Sequence, residues 1–169
     1  MFNIYIYMKF NIIVAVDSEN GIGLKNNIPW CEKDDLKLFS KLTRGNNNNC
    51  VIMGNNTWKS LPNKPLKNRD NLILSRNYQN DCNCNYFSTI ESLVNFCNYK
   101  NYDEMWVIGG SEIYNLFLEK EMVKKIFLSR LNKSYKCDKF FPKIPNTFKL
   151  TEKEYINERI ILETYYNLY

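Results

Sequence analysis

Four short apolar runs rich in branched side chains, each closed by polar or glycine residues, punctuate the first two thirds of the chain. They are KFNIIVAV (9–16), NCVIMG (49–54), NLILSR (71–76) and EMWVIGG (104–110). Runs of this length and composition read as buried strands. Stretches with helical spacing separate them: 34–44, NNTWKSL (55–61), STIESLVNFC (88–97) and SEIYNLFLEK (111–120). In the third of these, Ser88 and Glu91 stand at capping-box spacing, which places a helix start there. In the last, Ile113, Leu116 and Phe117 share one face. KKIFLSRL (124–131) is a further strand, and the tail from Phe148 to Tyr169 reads as a closing hairpin. Strand and helix alternating up to residue 130 predict an α/β fold: a central, mostly parallel mixed sheet flanked by helices, with an antiparallel C-terminal hairpin. GNNNNC (45–50) and the proline-broken LPNKPLKNRD (61–70) are connections. With no repeat and no linker, the 169 residues predict a single domain large enough to bury a core.

The chain contains no histidine. That removes Ser-His-Asp and Cys-His nucleophiles, HExxH zinc sites and imidazole proton shuttles. An enzyme built from this sequence works with acids, hydroxyls, backbone dipoles and a cofactor. The six cysteines form no CxxC pair, and Cys82-x-Cys84 is too tight for a usual zinc half-site, so no metal is expected. The formal charge of +5 is spread without a basic block, so nucleic acid is not an expected partner. It suits anionic small molecules and a solvated surface equally. MFNIYIYM lacks the basic start and length of a secretory leader, and no run approaches the ~20 apolar residues of a membrane span. A cytoplasmic protein with reduced thiols is expected.

Four motifs carry candidate chemistry. After Pro29-Trp30 come paired acids at the head of a helix. Position 34 shares its face with Lys37 and Lys41, whereas position 35 shares its face with Phe39 and Leu42. Asp34 therefore faces solvent. Asp35 looks inward, either to cap the helix or to meet a hydrogen-bonding ligand, because burial disfavours a carboxylate without donors. VIGGSEIY is a tight strand-to-helix turn whose free N–H groups can also seat an anion. Ser75-Arg76 at a strand end suits a phosphate monoester or plain surface. Arg69, where a loop re-enters the sheet, can clamp a carboxylate through two parallel bonds.

The order of VAVDSENGIGLKNNIPW, Asp35, VIMGNNTW, PLKNRDNLILSR, VIGGSEIY and CDKFFP resembles dihydrofolate reductase from about Lys9 to Tyr169. The resemblance implies a reductase domain over 9–169, preceded by an extension over 1–8 that translation from Met8 would largely remove. It implies reduction of 7,8-dihydrofolate to tetrahydrofolate by NADPH, with hydride to C6 and a proton to N5. It also implies a monomer that binds 2,4-diaminopyrimidine and diaminopteridine antifolates.

By the same resemblance, Asp35 holds the pterin ring through its 2-amino group and N3. Ser129 supplies a hydroxyl to that acid where relatives carry threonine, and Trp30 helps close the site. Leu36, Phe39 and Leu61 sandwich the rings, with Val14, Leu66 and Ile108 completing the pocket, and Arg69 grips the glutamate α-carboxylate. Ala15, Ile22 and Gly23 meet the nicotinamide, with Tyr114 nearby. Gly54, Thr57 and the turn Gly109, Gly110, Ser111, Glu112 and Ile113 hold the pyrophosphate, and a cis peptide joins Gly109 to Gly110. Leu74, Ser75 and Arg76 take the adenosine 2′-phosphate end. One departure stands out: Asn55 and Asn56 occupy positions that are basic in relatives, which weakens phosphate binding unless Lys59 compensates.

Two other readings compete with this one. A riboflavin-pathway pyrimidine reductase shares the fold, but Trp30, Asp35 and Arg69 in register argue against it. An inactive binding module has no reason to keep Asp35, Gly109-Gly110 and Ser129 together. A reductase that docks on thymidylate synthase remains a variant of the first reading, which only purification would reveal.

Overall fold

A computed structural model describes residues 10–77, 81 and 83–169. The chain runs β1 (Phe10–Val16), β2 (Gly21–Gly23), α1 (Lys33–Arg44), β3 (Cys50–Gly54), α2 (Asn55–Ser60), β4 (Asp70–Leu74) and β5 (Asn85–Phe87). It continues α3 (Ile90–Lys100), β6 (Met105–Gly109), α4 (Ser111–Glu119), β7 (Val123–Leu131), β8 (Lys139–Phe140), β9 (Phe148–Asn157) and β10 (Ile160–Asn167). Eight strands form one sheet in the order β5-β4-β3-β6-β1-β7-β10-β9. Every pairing from β5 to β7 is parallel, and β10 pairs antiparallel with both β7 and β9. The predicted mixed sheet with its antiparallel finish is therefore observed. Cys82 and the proposed residue 1–8 extension lie outside the described residues.

Strand periodicity explains the two faces. Phe10, Ile12, Val14 and Val16 of β1, with Cys50 and Ile52 of β3, pack toward α3 and α4. Ile13 of β1, with Val51 and Met53 of β3, faces the opposite layer beneath α1 and α2. Alternate residues along a pleated strand point to opposite sides, so strands covered twice become apolar throughout. On α4, Phe117 is fully buried while Ile113 and Leu116 pack beside it, as their shared face predicts.

The start of α3 corrects the expected capping box. Thr89, not Ser88, is the N-cap, and its side chain accepts from the Ser92 backbone N–H at 3.2 Å. Adjacent hydroxyls offer alternative caps one residue apart, and here the second lies three positions before the donor it satisfies.

Candidate active site

The order of strands brings β1 between β6 and β7, and the loops leaving their C-terminal ends lie where open α/β sheets usually take ligands. Helix α1 carries the paired acids in its first turn. Its N-cap is Glu32, whose side chain makes no cap hydrogen bond and instead pairs with Arg159 at 3.0 Å. Asp35 is thus not the cap, which removes one of its two sequence readings. Asp34 is exposed beside Lys37 at 3.9 Å, and Asp35 is partly buried. Burial pushes the Asp35 carboxyl above its ordinary range; the Ser129 hydroxyl, hydrogen-bonded to it from β7, partly offsets this, and nearby Glu32 adds to the rise. Ser129 is itself buried and sits opposite Ala15 in the β1–β7 ladder.

Phe39, Leu61, Leu66 and Ile108 are partly buried on the same layer as Ile13 and Met53, the layer under α1 and α2. Val14 points into the other layer, and Leu36, next to Asp35 on α1, is exposed by 56%. At the far end of α1, Arg69 donates through Nη1 to Thr43 Oγ1 and through Nε to the Lys67 carbonyl at 2.9 Å. Among the described residues it has no carboxylate partner. Burial, then Arg44 close by, holds its pKa below the ordinary guanidinium value. Asp35 and Thr43, eight positions apart on α1, are separated by about 12 Å at the helical rise. The two ends of α1 therefore carry an acid whose charge burial disfavours and a guanidinium without a carboxylate partner.

A second group of candidate residues gathers at two helix starts. Both α2 and α4 begin at glycines, Gly54 and Gly110, with no side-chain cap, so their first N–H groups stay free. The two starts adjoin: a Cβ on Gly110 would lie 3.5 Å from Thr57 Oγ1, and one on Gly54 3.2 Å from Ile113. The first turn of α2 holds no acid, whereas that of α4 holds exposed Glu112 beside partly buried Ser111. The Gly109–Gly110 peptide is cis, as the resemblance implied. Gly109 adopts φ 128° with the Tyr114 ring against it, a backbone conformation natural only to glycine. Tyr114 is buried and donates to the Ile13 carbonyl at 2.9 Å, and burial, then Asp35, raises its pKa. Ala15, Ile22 and Gly23 are partly buried. Leu74 and Ser75 end β4, and Ser75 Oγ donates to the Asn77 carbonyl at 3.2 Å, while Arg76 is exposed. Asn55 Oδ1 accepts from the Tyr86 hydroxyl at 3.2 Å, and Asn56 and Lys59 are exposed.

Asp17, which sequence reasoning treated only as the end of a strand, organises the loop that leads to Trp30. It has no exposed surface and accepts from the backbone N–H groups of Gly21 (2.7 Å), Glu19 (2.9 Å) and Tyr135 (2.9 Å). Burial alone pushes its carboxyl up, but these donors and the Cys137 thiol more than offset that, leaving the pKa below the ordinary value. Gly21 must lack a side chain, since a Cβ there would sit 2.6 Å from Cys137 Sγ. β2 pairs with β8, and the Trp30 ring lies 5.2 Å from that of Tyr135, so the loop is tied to residues 135–140 along its length. The one available signal was an Asp four residues before a glycine; nothing local pointed to Tyr135. An open groove of about 420 Å³ beside Glu19, Arg130 and Phe140 shares no residue with the predicted site. The chemistry-bearing groups converge at α1 instead.

Residues 9–167 match the family described as dihydrofolate reductase. The chain belongs to the dihydrofolate reductase family. It is 31% identical over 166 residues to the dihydrofolate reductase of Aedes albopictus, covering 86% of each chain. It is 38% identical over 154 residues to the viral dihydrofolate reductase of Saimiriine herpesvirus 2, covering 81% of this chain and 70% of that one. It is 33% identical over 144 residues to the bifunctional dihydrofolate reductase-thymidylate synthase of Paramecium tetraurelia, of which it spans 30%.

Proposed function

We propose that this site reduces 7,8-dihydrofolate to 5,6,7,8-tetrahydrofolate with NADPH. The observation that carries the reading is the spacing along α1 of Asp35, short of donors, and Arg69, short of a carboxylate. A flat ring with an amino group and N–H at one end and a carboxylate at the other satisfies both. The uncapped starts of α2 and α4, with no acid on the α2 side, fit the pyrophosphate of the cofactor. Bound NADPH supplies the hydride that reaches C6 of the substrate.

Asp35 accepts from the 2-amino group and N3 of the ring, and its negative charge favours protonation at N5. Ser129 fixes the carboxylate, and the loop from Gly21 to Trp30 controls the water that delivers that proton. Phe39, Leu61 and Ile108 present apolar surface to the rings, Leu36 folds over them, and Arg69 grips the α-carboxylate. Thr57 and Gly109 to Ile113 hold the pyrophosphate, with Arg76 at the 2′-phosphate. Residues 9–169 act as the reductase domain, a cytoplasmic monomer that also binds 2,4-diaminopyrimidines. Among the described residues no helix is long and apolar enough to cross a membrane.

Rapid-mixing measurement of dihydrofolate reduction by NADPH and by NADH tests the reading. Asp35→Asn is expected to slow hydride transfer at neutral pH by about 100-fold or more, while Asp34→Asn stays near wild type. Normal turnover by Asp35→Asn would refute the mechanism.

A further inference from the structure

Glu32 occupies the N-cap of α1, yet its side chain caps nothing and is buried. A carboxylate placed there for the helix would accept from the free N–H groups of the first turn. This one turns away to the β9–β10 turn, where Arg159 donates to it through Nε at 3.1 Å and Nη2 at 3.0 Å. The same turn reaches the helix a second time, for Asn157 Nδ2 donates to Asp34 at 3.0 Å. The turn is held from within, where the Arg159 N–H donates to Asn157 Oδ1 at 2.8 Å. It is held from β7 as well, where the N–H of Asn132, just past the strand, donates to the Arg159 carbonyl at 3.0 Å. The strand that supplies Ser129 to Asp35 thus also anchors the turn that holds the two acids before it. A buried ion pair is a poor source of stability, because the cost of desolvating two charges offsets their attraction. Stability alone does not account for a charged pair in this place.

We propose that Arg159 is a positioning residue for Asp35, acting through Glu32. It fixes the start of α1 and neutralises the carboxylate that stands just before the acid meeting the ring. This rests on the reading of Asp35 given above and adds what sets the charge around it. Glu32 and Asp35 are three positions apart, neighbours on one side of the helix. The charge of Glu32 pushes the Asp35 carboxyl up, and Arg159 opposes that by pairing with Glu32. Two further groups near Asp35 are uncharged at neutral pH: the Ser129 hydroxyl from β7, and the Tyr114 phenol from α4, kept protonated by burial and by Asp35 itself. Asp34 lies on the exposed side beside Lys37 and Asn157, and Glu158 is exposed beyond Arg159 at 4.0 Å. Among the described residues Glu32 is the charge that acts on Asp35, and Arg159 decides how strongly.

The test follows hydride transfer from NADPH to dihydrofolate against pH, in single turnovers of the wild type, Arg159→Gln, Glu32→Gln, the double variant and Asp35→Asn. Removing Arg159 leaves Glu32 unneutralised, so the site holds its proton more tightly and the apparent pKa of hydride transfer rises. Removing Glu32 leaves Arg159 uncompensated, so that pKa falls and the rate at pH values above it drops about three-fold. The double variant loses both charges and returns close to the wild-type profile. A purely structural clamp behaves otherwise: every variant slows at all pH values, the profile does not move, and the double variant is no better than either single one. Arg159→Gln leaves a buried acid unpaired and is the least stable of the set, as denaturant unfolding should show. The displacement of Glu32→Gln below the double variant reads the same effect without needing Arg159→Gln to fold. Unmoved profiles, or shifts of one sign in both single variants, overturn the role of Arg159; an Asp35→Asn still slowed about 100-fold then leaves the Asp35 reading intact. Normal turnover by Asp35→Asn overturns that reading, and the role of Arg159 with it.

Discussion

Two aspartates near the Gly21–Trp30 loop show what burial does to an acid with and without partners. Asp17 is wholly enclosed and meets three backbone donors and a thiol, so its carboxylate is held charged. Asp35 is partly enclosed and has the Ser129 hydroxyl alone, with Glu32 close by, so its charge is disfavoured. The first acid is complete and ties two loops together. The second is incomplete, and its missing donors describe a ligand. An unfilled hydrogen-bonding requirement, more than burial as such, separates a site from a structural device.

Exchanging each acid for its amide should separate these roles. The largest effect is on activity, where Asp35→Asn loses about 100-fold or more in hydride transfer yet folds at least as stably as the wild type. Asp17→Asn should lower stability by about 3 kcal/mol, since several donors lose a charged acceptor, and denaturant unfolding measures it. Equal destabilisation by the two variants would break the comparison.

The two acids should also act with opposite sign on stability as pH changes. The folded pKa of Asp17 lies below its unfolded value, so its stabilisation is present above the unfolded pKa and disappears as pH falls through the folded one. The folded pKa of Asp35 lies above its unfolded value, so its contribution is favourable below the unfolded pKa and is lost as pH rises through the folded one. Unfolding free energies measured across the acidic range should therefore decline less steeply toward low pH in Asp17→Asn than in the wild type. In Asp35→Asn the decline should be steeper. Identical slopes in all three proteins would contradict the assignment.

The smaller effects extend the contrast from acids to phosphate contacts. Asn55 is engaged by Tyr86, whereas Arg76 has no partner among the described residues. Arg76→Ala should weaken NADPH binding about tenfold and leave NADH binding nearly unchanged. Asn56→Lys should strengthen NADPH binding a few-fold, more at low salt than at high. Dissociation constants for both cofactors check this, and an unchanged NADPH/NADH ratio in Arg76→Ala removes it from the phosphate site.

Most of the fold was readable because strands covered on both faces need apolar residues at nearly every position, and β1, β3 and β6 supply them. The inward turn of Asp35 followed from its spacing to Phe39 and Leu42, and Arg69 from its place before β4. Helix ends were less readable: Ser88 and Thr89 are both good caps, and only the chain's path into α3 chooses between them. Long-range polar pairs were invisible. Glu32 meets Arg159 from the β9–β10 turn, and Glu163 of β10 meets Arg130 of β7, pairings that exist only once the sheet is assembled. The part of Asp17 that matters was hidden likewise, since one of its donors lies 118 positions away at Tyr135.

The account stands on Asp35 being an acid that a ligand completes, and its own titration measures that. Carbon-detected NMR of aspartate-labelled protein can follow the carboxyl, assigned by Asp35→Asn, first alone and then with a 2,4-diaminopyrimidine bound. The free protein should show Asp35 titrating above the ordinary aspartate range. The bound ring, protonated and donating two hydrogen bonds, should draw that pKa below the ordinary value. An ordinary pKa in the free protein, or one that the ligand leaves unmoved, would contradict it.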